Sequence, residues 1–212
     1  HAVIQNDIYG GTRSFIESHF KSYGIDYSFT KDLSSEAFED CIQKNTKLIY
    51  IETPSNPLLK LVDLFAIAKL AKSHHIVTAA DNTFASPIVQ NPLDLGVDIV
   101  MHSATKYFGG HSDISAGAVA SSQEIMDKIW NLSKDFGGNL SDYTVWLLER
   151  SMKTLGIRVK AQQRNAKRLA KFLNRHTAIK TVYYPGLKTN EYHGLAKIQM
   201  KGFGAMMSFE LT

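Results

Sequence analysis

Two stretches settle the architecture: Ile76-Val-Thr-Ala-Ala-Asp81, and Asp98-Ile-Val-Met-His-Ser-Ala-Thr-Lys106. Residues 76–80 make a nearly continuous apolar run with Thr78 as the one polar member, and the run stops on a carboxylate. So short an apolar run reads as a strand covered on both faces, as in a parallel sheet lying between helices. Residues 98–102 repeat the pattern and lead into Ser103, Thr105 and Lys106. In open sheets of this kind, ligands gather outside the carboxyl ends of the strands. Asp81 and Lys106 therefore belong to the edge where chemistry is expected.

Short apolar runs and amphipathic stretches alternate on both sides of these two, which predicts an α/β chain with a mostly parallel sheet flanked by helices. Thr12, after Gly10 and Gly11, is placed to cap a helix to Tyr23. Residues 26–30 read as a strand, 34–43 as a capped helix and 47–52 (KLIYIE) as a strand closed by Pro54-Ser55-Asn56-Pro57. Asp63 caps a helix over 64–73. Residues 116–120 predict a strand, then 123–134, 141–154 and 158–175 predict helices. Strands over 180–184 and 205–211 belong to a second unit. The expected division is a large domain over 1–154 and, over 155–212, a linking helix with the beginning of a smaller α/β domain.

The composition narrows the classes. The chain has 212 residues, 44% hydrophobic and 21% charged, with a net charge of +4, which describes an ordinary globular chain. That charge requires no nucleic-acid partner. The single cysteine, Cys41, excludes a disulfide framework and a thiol-rich zinc site and suits a reducing cytoplasm. No apolar run approaches the roughly 18–20 residues that span a bilayer. No metal site is expected, because His74, His75, His102 and His111 lack zinc-like spacing with a cysteine. The chain opens on His1 rather than Met, so it is expected to be the middle of a longer polypeptide.

A carboxylate ending an apolar strand is costly unless a cation or donors meet it. Lys106 sits among residues expected to shield it from water, and a desolvated amine is the form that attacks a carbonyl. Ser103 and Thr105 add hydroxyl donors suited to a phosphate. Carboxylate, amine and phosphate donors are together the parts that a pyridoxal phosphate site requires. Each has a plainer role when taken alone: Asp81 as a cap or turn former, Ser103 to Lys106 as an exposed turn, Tyr9 as a buried aromatic, Cys41 as a small core residue in a helix. Residues 153–175 carry eight Lys or Arg, yet Leu155, Val159, Ala166, Leu169 and Leu173 form an apolar stripe, so a packed helix is expected rather than an RNA-binding one. No Walker-type loop or complete GxGxxG occurs.

Taken together, Tyr9-Gly-Gly-Thr12, Glu52-Thr-Pro-Ser-Asn-Pro57, Ala80-Asp-Asn-Thr-Phe84, His102-Ser-Ala-Thr-Lys-Tyr107, Gly110-His-Ser-Asp113, Lys153-Thr-Leu155, Tyr184-Pro-Gly-Leu187 and Gly202-Phe-Gly-Ala-Met206 resemble the Cys/Met-metabolism family of pyridoxal-phosphate enzymes. They run in family order along nearly the whole chain. The resemblance implies the aspartate-aminotransferase-like fold (fold type I), with Lys106 as the imine lysine and Asp81 as partner of the pyridine nitrogen. It also implies Ser103 and Thr105 on the phosphate, Tyr9 stacked on the ring near the substrate, and Asn56 and Thr83 beside the cofactor. The activity implied is trans-sulfuration of an amino-acid substrate in a cytoplasmic homo-oligomer, a dimer of dimers, with no nucleic acid or membrane as partner. Cystathionine γ-synthase or γ-lyase chemistry is the expected branch. Cystathionine β-lyase, methionine γ-lyase and O-acylhomoserine sulfhydrylase are alternatives, and a noncatalytic fragment of the same fold is the alternative from another class. The sequence departs from many members at Ser14, where they place an arginine; Arg13 stands one position earlier.

Overall fold

The computed structural model of the chain describes residues 1–212. Six strands form one sheet: β1 (Ala2–Ile4), β2 (Tyr27–Phe29), β3 (Leu48–Glu52), β4 (Val77–Asp81), β5 (Ile99–Ser103) and β6 (Gly117–Ser121). Their spatial order is β2-β1-β3-β4-β5-β6, with every pairing parallel except β5 with β6. β1 was not expected from the sequence. Three residues are too few to display a period, and it is the pairing on both edges, to β2 and to β3, that makes them a strand.

Alternate residues of the strands face opposite layers. Val3, Ile49, Ile51 and Ala80 pack with Phe38 of α2 (Ser35–Glu39) and with Leu64 and Ile67 of α3 (Leu64–Ser73). Ala2, Ile4, Tyr50 and Ala79 pack with Ile16 of α1 (Gly10–His19). Helices thus cover both faces, as the apolar run of β4 requires. Thr78, its polar member, is satisfied by Asp98, which accepts both its N–H and its hydroxyl at 2.8 Å. Ser34 and Asp63 cap α2 and α3 as expected, accepting N–H bonds from Ala37 and Ala66. Cys41 lies just beyond α2 and is only partly buried against this core.

Thr12 does not cap α1. The helix starts at Gly10, and the residue before it is Tyr9, whose backbone is extended. The reason lies across the sheet, where a Glu52 carboxylate oxygen accepts the Tyr9 N–H at 2.6 Å and so fixes the point of entry. A Cβ on Gly11 would lie 2.5 Å from the Tyr9 ring, so that ring can rest over the first turn only because residue 11 is glycine.

After the short α4 (Ser86–Val89) and the sheet's last strand come α5 (Gln123–Phe136), α6 (Asp142–Met152) and α7 (Leu155–Leu173). α7 begins three residues before the expected start, so Arg158 lies within its first turns. Its buried stripe is Leu155, Val159, Ala166 and Ala170; Leu169, expected inward, is 49% exposed. Leu155 and Val159 pack with Ala104 and Phe108 beside the sheet, together with α8 (His193–Gln199). Ala166 and Ala170 pack with Val182, Tyr184 and Leu187 beside a second, antiparallel sheet of β7 (Ile179–Tyr183) and β8 (Ser208–Leu211). One helix therefore contacts both sheets. No helix is long and apolar enough to cross a membrane.

Candidate active site

β3 and β4 end on Glu52 and Asp81, which are partners in the sheet register. Asp81 Oδ1 accepts two bonds from Thr83, the backbone N–H at 2.9 Å and the hydroxyl at 2.5 Å. The Thr83 oxygen accepts the Ser103 N–H at 2.8 Å, so the ends of β4 and β5 are tied through one hydroxyl. Burial pushes the Asp81 carboxyl above its ordinary range, and the Thr83 donors work against that shift. Glu52 is 5% exposed, and burial pushes its carboxyl up to about 7, with Asp81 and Asp7 adding repulsion. The N–H groups of Tyr9 and of Asn56, at 2.6 and 3.2 Å, favour its charged form. Two carboxylates thus stand side by side at the sheet edge, and neither enters an ion pair.

After β5 the backbone closes a tight turn in which the Lys106 N–H donates to Ser103 O, Gly109 N–H to Ala104 O and Gly110 N–H to Lys106 O. Ala104 and Phe108 form one face of this turn and are buried beneath it. Lys106 lies on the opposite face and is exposed. The shielding expected for Lys106 is therefore absent from its immediate neighbours, because a helical turn sends alternate residues to opposite sides. The two hydroxyls also differ. Thr105 Oγ1 donates to Ala116 O at 3.2 Å and accepts the Ala116 N–H at 2.9 Å, whereas the Ser103 hydroxyl bonds to no other group of the chain. Ser103 is ready to meet a ligand, and Thr105 must first release Ala116.

A cleft of about 810 Å³ opens here, and Tyr9, Asn56, Asp81, Thr83, Ser103, Thr105 and Lys106 all line it. The seven residues singled out in the sequence come from four separate segments and meet in one place. Tyr9 is 57% exposed, contrary to the buried aromatic expected for it alone, so its ring is available to the cleft. Arg13 does not line it. Its guanidinium donates to Asn6 and Glu17 and lies 4.0 Å from the centre of the Phe29 ring.

Sequence reasoning assigned no role to Glu52, Tyr107, Ile114, Gln162 or Met206, which also line the cleft. The signal for Glu52 was present, since KLIYI ends on it as IVTAA ends on Asp81. Met206 closes the quoted Gly202-to-Met206 stretch, whereas Gln162 left no local signal; they arrive through tertiary packing of the segment before β8 and of α7. The Tyr107 hydroxyl is buried without a partner, and burial pushes it up to about 12. His102 sits behind the turn with its ring edge against Phe108 at 4.9 Å, and burial pushes it down to about 4, so it is neutral at physiological pH. The donor set suits a ligand with three features: an aldehyde for Lys106, a protonated ring nitrogen for Asp81 and an anion for Ser103.

Comparison with known proteins gives the family. A family model described as "Cys/Met metabolism PLP-dependent enzyme" matches residues 1–212. The chain is 46% identical over 212 residues to a cystathionine gamma-lyase of Bacillus subtilis, covering all of this chain and 56% of that protein. It is 44% identical over 213 residues to a cystathionine beta-lyase of Lactococcus lactis, again covering 56% of the relative. Among solved structures it superimposes with a TM-score of 0.97 on a cystathionine gamma-lyase from Lactobacillus plantarum complexed with L-serine, at 46% identity and over 56% of that chain. The chain spans about half the length of these relatives.

Proposed function

Because the chain belongs to the Cys/Met-metabolism family of pyridoxal-phosphate-dependent enzymes, we propose that the polypeptide carrying it makes or breaks a C–S bond in cystathionine or a related homoserine derivative, by γ-synthase or γ-lyase chemistry. The observation that carries this reading is the convergence of Asp81, Ser103 and Lys106 in one cleft at the carboxyl ends of β4 and β5. The half-buried Asp81 carboxylate lacks a cation, and the Ser103 hydroxyl lacks a partner, so the residues fit the cofactor. When bound, pyridoxal phosphate supplies an aldehyde for an amine and a ring that takes up electrons from carbon.

Each residue has a task that follows from its position. Lys106 Nζ would hold the aldehyde of the bound cofactor and, when free, would move a proton at the substrate Cα and at the neighbouring carbon. Asp81 keeps a proton on the ring nitrogen, and Thr83 fixes the rotamer of Asp81 through its two donations. Ser103 would donate to the phosphate, and Thr105 would join it by giving up its bond to Ala116 O. The exposed Tyr9 ring would stack against the cofactor, with Asn56, which also lines the cleft, beside it. Residues 1–154 form the cofactor domain and 155–212 the link and start of the smaller one. The working assembly is a homo-oligomer, a dimer of dimers in the cytoplasm, which light scattering on the purified full-length protein measures.

The closeness of both γ-lyase and β-lyase relatives supports C–S chemistry as the common class. The test is direct. Full-length protein is incubated with pyridoxal phosphate and divided: one portion is reduced with borohydride and mapped by mass spectrometry, and the other, unreduced, is assayed on cystathionine with product identification. Label at Lys106 and sulfur-containing products are expected. A label on another lysine would refute the site.

A further inference from the structure

One cation near the turn has a role that the cleft residues do not account for. Arg158 donates through Nη1 to Tyr107 O at 2.8 Å, and through Nη2 to Phe108 O at 3.2 Å and Ser151 O at 2.9 Å. Its Nε donates to Thr154 Oγ1 at 3.0 Å. All four partners are neutral oxygens, and Arg158 enters none of the chain's ion pairs. Burial disfavours its charge somewhat, so the guanidinium is held here for its geometry and not to neutralise a carboxylate.

Tyr107 and Phe108 are the two residues after Lys106, and their carbonyls lie at the open end of the turn, where the backbone offers them no N–H. A planar fork presents two separate N–H groups, one to each carbonyl, in a fixed geometry that a compact ammonium does not match. Its third contact, Ser151 O, lies near the C-terminal end of α6, where a positive charge is favoured. Gly110 closes the turn with φ +74°, and a Cβ there would lie 2.0 Å from Arg158 Nη1. Residue 110 thus leaves room for the guanidinium, and the turn and the arginine fit each other.

We propose that Arg158 is a positioning residue for Lys106: from the first turns of α7 it clamps the carbonyls of Tyr107 and Phe108 and thereby fixes where the lysine side chain leaves the backbone. This rests on the reading of Lys106 as the cofactor's attachment point. It also makes the α6–α7 junction part of the cofactor site, although neither Ser151 nor Thr154 lines the cleft.

Three variants of the full-length protein test the idea: Arg158→Gln, Arg158→Lys and Gly110→Ala. Arg158→Lys keeps the charge and carries the test if the glutamine variant fails to fold, while Gly110→Ala displaces the guanidinium but also strains the positive-φ backbone at residue 110 and is read beside the arginine variants. Pyridoxal 5′-phosphate is the probe, and the readouts are the rate of covalent uptake at Lys106 per folded molecule and the melting temperature without cofactor. Loss of charge-assisted bonds to the turn should slow uptake about tenfold in R158Q and G110A, with partial rescue in R158K, whose ammonium reaches one carbonyl but not two. A lowered melting temperature with wild-type uptake in R158Q and G110A would mean a structural role only and would overturn the inference. Wild-type protein that takes up no cofactor at Lys106 would instead overturn the parent reading.

Discussion

At the scale of single residues, the two carboxylates at the strand ends are both raised by burial and are tested differently. Glu52 is an acid whose folded pKa, about 7, lies above its ordinary value of 4.5. Through this group the folded chain binds more protons than the unfolded one between these values, so the contribution of Glu52 to stability is fully present below pH 4.5 and is lost as pH rises through 7. The shift corresponds to about 3 kcal/mol. Urea midpoints of wild type and Glu52→Gln at pH 5 and 7.5 should show the wild-type slope reduced in the variant; parallel curves would contradict the assignment. In the function proposed above, Asp81 acts on the cofactor ring instead. Asp81→Asn cannot hold a proton on a weak base, and turnover in the full-length enzyme should fall by roughly two to three powers of ten, while some cofactor is retained. Asp81 was legible in the sequence because a charge ends an apolar run. The difference between Ser103 and Thr105 was not, because it depends on Ala116, which reaches Thr105 only when β6 turns back along β5.

Among the elements, α7 shows where periodicity misleads. Leu169 fits an apolar stripe on paper, yet Ala170 is the buried member, because the wall it faces is Tyr184 and Val182. Small residues on that face let the helix approach the second sheet. Leu155→Ala should then cost about 2–5 kcal/mol of stability by opening a cavity, whereas Leu169→Ala should change it by less than about 0.5 kcal/mol. Thermal denaturation of both variants checks the contrast, and equal losses would show that the buried face has been misread. α1 makes a similar point at its start. Thr12 has the right chemistry for a cap, but the entry point was decided by Glu52, which lies forty-three positions further along the chain.

For the whole molecule, the cleft of these 212 residues has Lys106 as its one cation. An α-carboxylate needs a fixed partner, best supplied by an arginine fork, to align the Cα–H bond with the ring's π system. Residues 1–212 expressed alone should therefore take up pyridoxal phosphate weakly at Lys106 and turn over no amino acid. Side-by-side absorbance and product assays with the full-length protein measure this, and equal turnover would show that the substrate grip lies within the segment.

What the amino-acid order determined by itself was local or periodic: apolar runs that had to be parallel strands, polar residues ending them, and motifs in a recognisable succession. From these the layered α/β class and Asp81, Ser103, Thr105 and Lys106 could be named, since the carboxyl edge of a parallel sheet collects whatever follows its strands, whereas Tyr9, Asn56 and Thr83 came only with the resemblance of the motifs. Tertiary structure alone decided that β1 is a strand, that Lys106 is exposed while Ala104 and Phe108 are buried, and that Arg158 reaches the turn from about fifty residues away. Each of these depends on a partner distant in the chain, and a contact of that kind leaves no period and no neighbouring residue from which it could be read.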